Sequence, residues 1–164
     1  MAGRFRVVDT GVLEGRFNIA IDQAMIEEHQ AGRIPDTFRF MRFPPTALIG
    51  RHQAMRQEVD VDHCRAHGIG IVRRITGGGA IYLDEGQLGW GLVFHRKALS
   101  ATCLAGLASD ICEAVAAGLR RLGVDARYRP RNDIEVDGRK ISGTGGFFDG
   151  DTLIYQGTVL VDMN

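Results

Sequence analysis

Arg73-Arg74-Ile75-Thr76-Gly77-Gly78-Gly79-Ala80-Ile81-Tyr82 is the stretch on which the reading of this chain turns. Three consecutive glycines let the backbone turn through positive φ and bring several N–H groups towards one anion. The two arginines just upstream supply fixed charge and forked donors suited to a carboxylate or phosphate. The spacing matches neither Gly-x-x-x-x-Gly-Lys-Ser/Thr nor Gly-x-Gly-x-x-Gly, so the usual phosphate-loop and dinucleotide readings fail. A plain hairpin loop beside two solvated arginines is the competing structural reading.

Outward from the loop, Ile69 to Val72 reads as a buried strand running into it, and Ala80 to Leu83 as a strand leaving it. Leu88 to Phe94 follows as another strand after the turn Asp84-Glu85-Gly86. Upstream, Phe5 to Val8, Thr37 to Arg42 and Thr46 to Ile49 read as strands, and Asp60 to His67 as one or two helical turns. Phe17, Ile21, Ala24 and Met25 place an amphipathic helix between Gly15 and Gly32. Downstream, Ala101 to Leu122 is the longest helix, with Leu104, Leu107, Ala108, Ile111, Val115, Leu119 and Leu122 on one stripe. Two Asp-Gly pairs, Asp137-Gly138 and Asp149-Gly150, then link Asp133–Val136, Lys140–Phe148 and Thr152–Val161 as an antiparallel meander. The order is mixed rather than strictly βαβ. It predicts one α+β domain over residues 1–164, with a mixed, largely antiparallel sheet and flanking helices.

Composition bounds the function. The 164 residues carry 20 Lys+Arg against 20 Asp+Glu, so no basic field draws the chain to nucleic acid or anionic lipid. No apolar run reaches the length of a membrane span. Three cysteines in no framework spacing fit a reduced, cytoplasmic setting. The 22 glycines follow no period, so they mark particular turns or close approaches to a ligand.

A second chemical stretch is Arg131-Asn132-Asp133-Ile134, followed by Gly138-Arg139-Lys140-Ile141-Ser142-Gly143-Thr144-Gly145-Gly146. The Asp137-Gly138 turn places Asp133 and Lys140 on neighbouring strands. There a carboxylate, an ammonium and a small-residue surface could converge. A compact lysine charge suits a position between two anions, whereas the alternative is an ordinary exposed lysine. Other signals have bland readings. His63-Cys64-x-x-His67 lacks a second cluster and reads as surface helix. Cys103 and Cys112 read as packing residues of the long helix. Trp90 reads as core or as the wall of an acyl tunnel, and Phe147-Phe148 as one inward and one outward hairpin residue.

Together these stretches resemble the lipoate–protein ligase family of the biotin/lipoate ligase superfamily. The resemblance runs through Phe17-Asn18-Ile19-Ala20, Ile49-Gly50-Arg51-His52-Gln53, the arginine–glycine loop, Asn132-Asp133, Gly138-Arg139-Lys140-Ile141-Ser142-Gly143 and Gln156-Gly157-Thr158-Val159-Leu160, in the family's order. It implies a class II synthetase-like fold and Lys140 as the catalytic residue. Arg74 would contact the lipoyl-adenylate, and Gly77, Gly78, Gly79, Ala80, Ile81 and Tyr82 the nucleotide. Asn132, Asp133, Ser142, Thr144, Gly145 and Gln156 complete the expected site. The family often has histidines where this chain has Leu83 and Gln156, and alanine where it has Gly145.

The implied reaction uses ATP with Mg²⁺, forms lipoyl-AMP from lipoate, and passes the acyl group to a lysine of a lipoyl-domain acceptor protein. Two rivals stand beside it. One is an octanoyl or lipoyl transferase working through a cysteine thioester, which the lack of a cysteine near Asn132-Asp133 or Lys140 disfavours. The other is a module that binds the adenylate or a lipoyl protein without turnover. The apolar strand just before Asn164 leads us to expect a missing C-terminal part, without an accessory domain. Because some family members carry the accessory part as a separate polypeptide, the resemblance implies a small accessory subunit as a further partner.

Overall fold

The computed structural model describes residues 5–98 and 103–162. Strand β1 (Arg6–Val12) leads into α1 (Gly15–Gln30), then β2 (Thr37–Arg42) and β3 (Thr46–Ile49). Two short helices follow, α2 (Met55–Glu58) and α3 (Val61–Ala66), the latter N-capped by the Asp60 side chain. Next come β4 (Gly70–Arg73), β5 (Ile81–Leu83), β6 (Gln87–His95) and α4 (Leu104–Arg121). The chain ends in β7 (Arg127–Arg129), β8 (Asp133–Val136), β9 (Arg139–Asp149) and β10 (Thr152–Leu160).

The strands form two sheets. One has seven strands in the order β1-β2-β6-β10-β9-β8-β7, and the other has three in the order β4-β3-β5. Among the described residues only β1/β2 and β3/β4 pair in parallel, so the fold is α+β with a mixed, largely antiparallel sheet. The meander from β8 to β10 forms as expected, and Asp137 and Gly138 turn it with φ of 50° and 72°. Among the described residues, no helix is long and apolar enough to cross a membrane.

The large sheet is covered on both faces. Met25 and Ile26 of α1 pack on Val93, Ile154 and Phe147. Leu107 and Ala108 of α4 pack on Trp90, Leu92, Leu153, Tyr155 and Phe148. Phe147 and Phe148 thus serve opposite faces, both packed. A third cluster of Met41, Phe43, Leu48, Val72 and Leu83, with Ile19 against it, joins the two sheets.

Several expectations need correction. Strands β5 and β6 form on either side of the turn as expected, but the chain changes sheets at residues 84–86 and they do not pair. Strand β4 is an edge of the small sheet with only Val72 buried. The α1 stripe is shifted: Phe17 is 66% exposed, while Asn18, Asp22, Met25, Ile26 and His29 face inward. Asn18 and Asp22 on this face serve a buried arginine, Arg39, which outweighs the apolar pattern, while His29 bonds Thr152 and Asp36. On α4 the stripe holds at Leu107 to Leu119, but Leu104 and Leu122 lie at the ends and are exposed. Cys112 packs in the core, whereas Cys103 is exposed and caps α4, its Sγ accepting from the Gly106 N–H. The expected first residues of that helix, Ala101 and Thr102, lie outside the described residues.

Candidate active site

Between the two sheets lies a cavity of about 690 Å³. One part of its wall is apolar, formed by Ile19, Met41, Phe43, Leu48, Leu83 and Trp90. The polar part carries the glycine loop and the β8–β9 hairpin. Of the site residues expected from the sequence, all but Ala80 and Asp133 line it: Arg74, Gly77, Gly78, Gly79, Ile81, Tyr82, Asn132, Lys140, Ser142, Thr144, Gly145 and Gln156.

Adjacent arginines hold two loops. Alternation along β4 and its exit sends Arg73 and Arg74 in different directions. Arg73 Nη1 donates to the carbonyls of Gly50, Arg51 and Gln53. Arg74 donates from Nη2 to the Gly77 and Gly79 carbonyls, each at 2.7 Å, and from Nη1 to Leu48. Burial lowers the Arg74 pKa from its ordinary value, though guanidinium remains charged at any working pH. The guanidinium therefore gathers the loop's carbonyl oxygens. Among the described residues, the N–H groups of Gly77, Gly78 and Gly79 donate to no protein acceptor. A loop with its carbonyls tied back and its amides free is suited to an anion. Gly78 sits at φ 94°, and a Cβ on Gly50 would collide with its carbonyl oxygen.

Lys140 comes from the other wall. Its Nζ lies 2.7 Å from Asp133 Oδ1, and Arg129 Nη2 lies 2.7 Å from the other carboxylate oxygen. Burial works to raise the Asp133 pKa, but hydrogen bonds and charge from Lys140 and Arg129 outweigh it and hold the carboxyl below its ordinary value. Gly143 makes room for Lys140, since a Cβ there would lie 3.0 Å from Nζ.

Asn132 is locked to the floor. Its amide donates to the Thr144 carbonyl, and its own carbonyl accepts from Thr144 N–H and Oγ1 at 3.0 and 2.9 Å. Thr144 Oγ1 also lies 2.8 Å from Tyr155 Oη and 3.4 Å from Cys112 Sγ. A cysteine does therefore approach Asn132 in space, 20 residues upstream in sequence. It is fully buried on the α4 side, and burial pushes its thiol up. None of the three cysteines lines the cavity.

Sequence reasoning missed Asp22, which also lines the cavity. It is 4% exposed and paired with Arg39 at 2.7 Å, and burial pushes its carboxyl up to about 6 against that charge. The available signal was Asn18 and Asp22, i and i+4, on one helix face with Met25.

Residues 14–164 match the lipoyl protein ligase A/B catalytic domain. The chain belongs to that family. Octanoyltransferase LipM of Geobacillus kaustophilus is 29% identical over 98% of this chain and 66% of its own length. Lipoate-protein ligase A subunit 1 of Thermoplasma acidophilum is 35% identical over 83% and 50%. Among solved structures, the bi-partite lipoate protein ligase of Thermoplasma acidophilum superposes with a TM-score of 0.88 at 30% identity, over 98% of this chain and 63% of that one. A lipoate-protein ligase A bound with ATP gives 0.85 at 30%, over all of this chain and 68% of that one. Biotin protein ligase from Aquifex aeolicus, 13% identical with a TM-score of 0.53, shares the fold. This member of the lipoyl ligase A/B family spans about two-thirds of the LipM relative and half of the ligase subunit.

Proposed function

We propose that this domain catalyses ATP-dependent lipoate–protein ligation in the cytoplasm. Lipoate and ATP give lipoyl-AMP and pyrophosphate, and a lysine of a lipoyl-domain protein then takes the acyl group. One observation carries the reading: a single cavity presents free glycine amides, the Lys140 ammonium and an apolar wall.

Each part has a task. The apolar wall takes the acyl chain, and the loop amides take phosphate oxygens. A carboxylate oxygen then attacks the α-phosphorus, and the bond to pyrophosphate breaks. Both reactants are anionic, so a cation between them lowers the barrier. Lys140 is held beside Asp133 as an ion pair at 2.7 Å, and its ammonium carries N–H donors for the reacting oxygens. In the second step the acceptor amine attacks the acyl carbon, and AMP leaves with the bonding pair. Among the described residues, no group of three or more His, Cys, Asp or Glu could hold a metal. Mg²⁺ brought with ATP would supply charge neutralisation at the pyrophosphate leaving group. The ATP held by the ligase A relative and the bi-partite organisation of the Thermoplasma ligase support ATP as substrate and a separate accessory subunit as partner.

The octanoyltransferase names among the relatives favour a second reading, acyl transfer through a cysteine thioester. Cys64 and Cys112 are buried, and Cys103 stands outside the cavity at the start of α4. A thiol raised by apolar burial is a poor nucleophile. Lipoate-dependent exchange of pyrophosphate into ATP tests the ligase reading. ATP-independent octanoyl transfer from an octanoyl-carrier protein, without that exchange, would replace it.

A further inference from the structure

A line of hydrogen bonds crosses the molecule from the edge of the large sheet to the glycine loop. Thr10 Oγ1 on β1 accepts from Arg39 Nε and Nη2 at 3.1 and 2.9 Å. Arg39 Nη1 donates to the Asn18 carbonyl at 2.9 Å and to Asp22 Oδ1 at 2.7 Å, while Nη2 also donates to Asn18 Oδ1. Asp22 Oδ2 accepts from Gln156 Nε2 at 2.6 Å, and Gln156 Oε1 accepts from Thr76 Oγ1 at 3.3 Å. The Thr76 carbonyl in turn accepts the Arg51 N–H at 2.9 Å.

A buried ion pair is a weak stabiliser compared with apolar packing of the same volume, so stability alone gives little reason for this one. Its geometry gives a better one. All five guanidinium N–H groups of Arg39 are engaged, which fixes the Asp22 carboxylate with one oxygen turned to β10. A charged carboxylate can only accept, so it draws the amide nitrogen of Gln156. That sets the amide's orientation and points Oε1 at Thr76, whose hydroxyl must donate. Thr76 is 5% exposed and immediately precedes three glycines that have no side chains to anchor them. Arg74 restrains the loop's carbonyls, and Thr76 restrains its entry.

We propose that Arg39, Asp22 and Gln156 are positioning residues that fix the direction of the Gly77–Gly79 amides through Thr76. The proposal rests on the reading of that loop as the nucleotide site. Removal of the final link should weaken the nucleotide more than the acid. Arg39 variants strand a buried carboxylate and can fail to fold, so the decisive variants are Thr76→Val and Gln156→Met, with Thr76→Ser keeping the hydroxyl.

The test is calorimetric titration of the whole chain with ATP and, separately, with lipoate, together with amide protection of Arg51 by ¹H–¹⁵N NMR. Thr76→Val and Gln156→Met should bind ATP about tenfold more weakly, the scale of one buried hydrogen bond. Lipoate affinity should fall less than ATP affinity, Arg51 should lose protection, and Thr76→Ser should match wild type. Gln156→Met should also melt somewhat lower, because it leaves the buried Asp22 Oδ2 without its donor. ATP affinity unchanged in both variants, against a wild type that binds it, would overturn the relay alone. A fall in lipoate affinity without a fall for ATP would also overturn it, making Gln156 a direct wall of the acyl pocket. A wild type that binds no ATP would overturn the nucleotide reading, and the relay's role with it.

Discussion

Lys140 Nζ lies 2.7 Å from Asp133 Oδ1, across the hairpin turned by Asp137 and Gly138. The pairing aims a side chain that is half exposed and would otherwise sample many rotamers. Arg129 holds the far oxygen of the same carboxylate, so Asp133 is itself fixed from both sides.

Replacement of Lys140 with alanine should cut lipoyl-AMP formation by about a hundredfold or more, the cost of one electrostatic contact in the transition state, about 3 kcal/mol. Lys140→Arg keeps the charge but spreads it over a wider plane, so it should recover little. Thermal stability should change little in either, because the ammonium is half exposed. Pyrophosphate exchange and a melting curve on the same samples check both halves.

The Asp133 pKa is held below its ordinary 3.8, so the carboxylate contributes stability that is fully present above that value and lost as pH falls through its folded pKa. Asp133→Asn should therefore melt lower than wild type near neutrality. The gap should narrow on acidification below about pH 4. Melting temperatures that stay parallel across that range would show that the carboxylate does not titrate with folding.

At Gly78 the backbone has φ 94°, and an added Cβ would sit 2.9 Å from Arg74 Nη2. Gly78→Val should strain the loop and displace its carbonyl clamp, abolishing measurable ATP binding while the sheets remain folded. Calorimetry with circular dichroism separates the two effects.

Gly157 faces a buried tryptophan. A Cβ there would approach Trp90 Cε2 to 2.6 Å and Thr144 Cγ2 to 2.9 Å, and both side chains are packed. Gly157→Ala should destabilise the fold by about 1–3 kcal/mol, as overpacking does. Denaturant titration measures it.

Thiol reactivity should single out Cys103. It is exposed, whereas Cys64 and Cys112 are buried, so one equivalent of an aromatic disulfide reagent should react quickly in the native state. Cys103→Ser should remove that phase and leave pyrophosphate exchange intact.

Much of the hairpin architecture could be read in the chain because its signals are local. Asp137-Gly138 fixes its own turn, and alternation fixes which face each neighbour takes. The arginine–glycine loop was legible in the same way, and it does border the cavity. What escaped depends on partners distant in sequence. Asn18 and Asp22 face inward only because Arg39 waits on another strand, and their i, i+4 spacing with Met25 does not name that distant partner. Strands β5 and β6 read as neighbours around a turn, and only the structure shows that they belong to separate sheets. Arg73 and Arg74 read as donors for a ligand's carboxylate or phosphate, yet their donors are largely turned to carbonyls brought from residues 48–53 and 77–79.

The glycines along the cavity floor are not interchangeable. A methyl group at Gly89 would strike Met41 Cγ at 2.9 Å, and one at Gly143 would press on Lys140. At Gly145 it would meet nothing within 4 Å, although that residue also borders the cavity. Bulk added at Gly145 is therefore subtracted from the ligand's space and not from the protein's own packing. On the proposed function, Gly145 is the floor position where a larger side chain would shorten the acyl chain the cavity takes, without refolding the sheet.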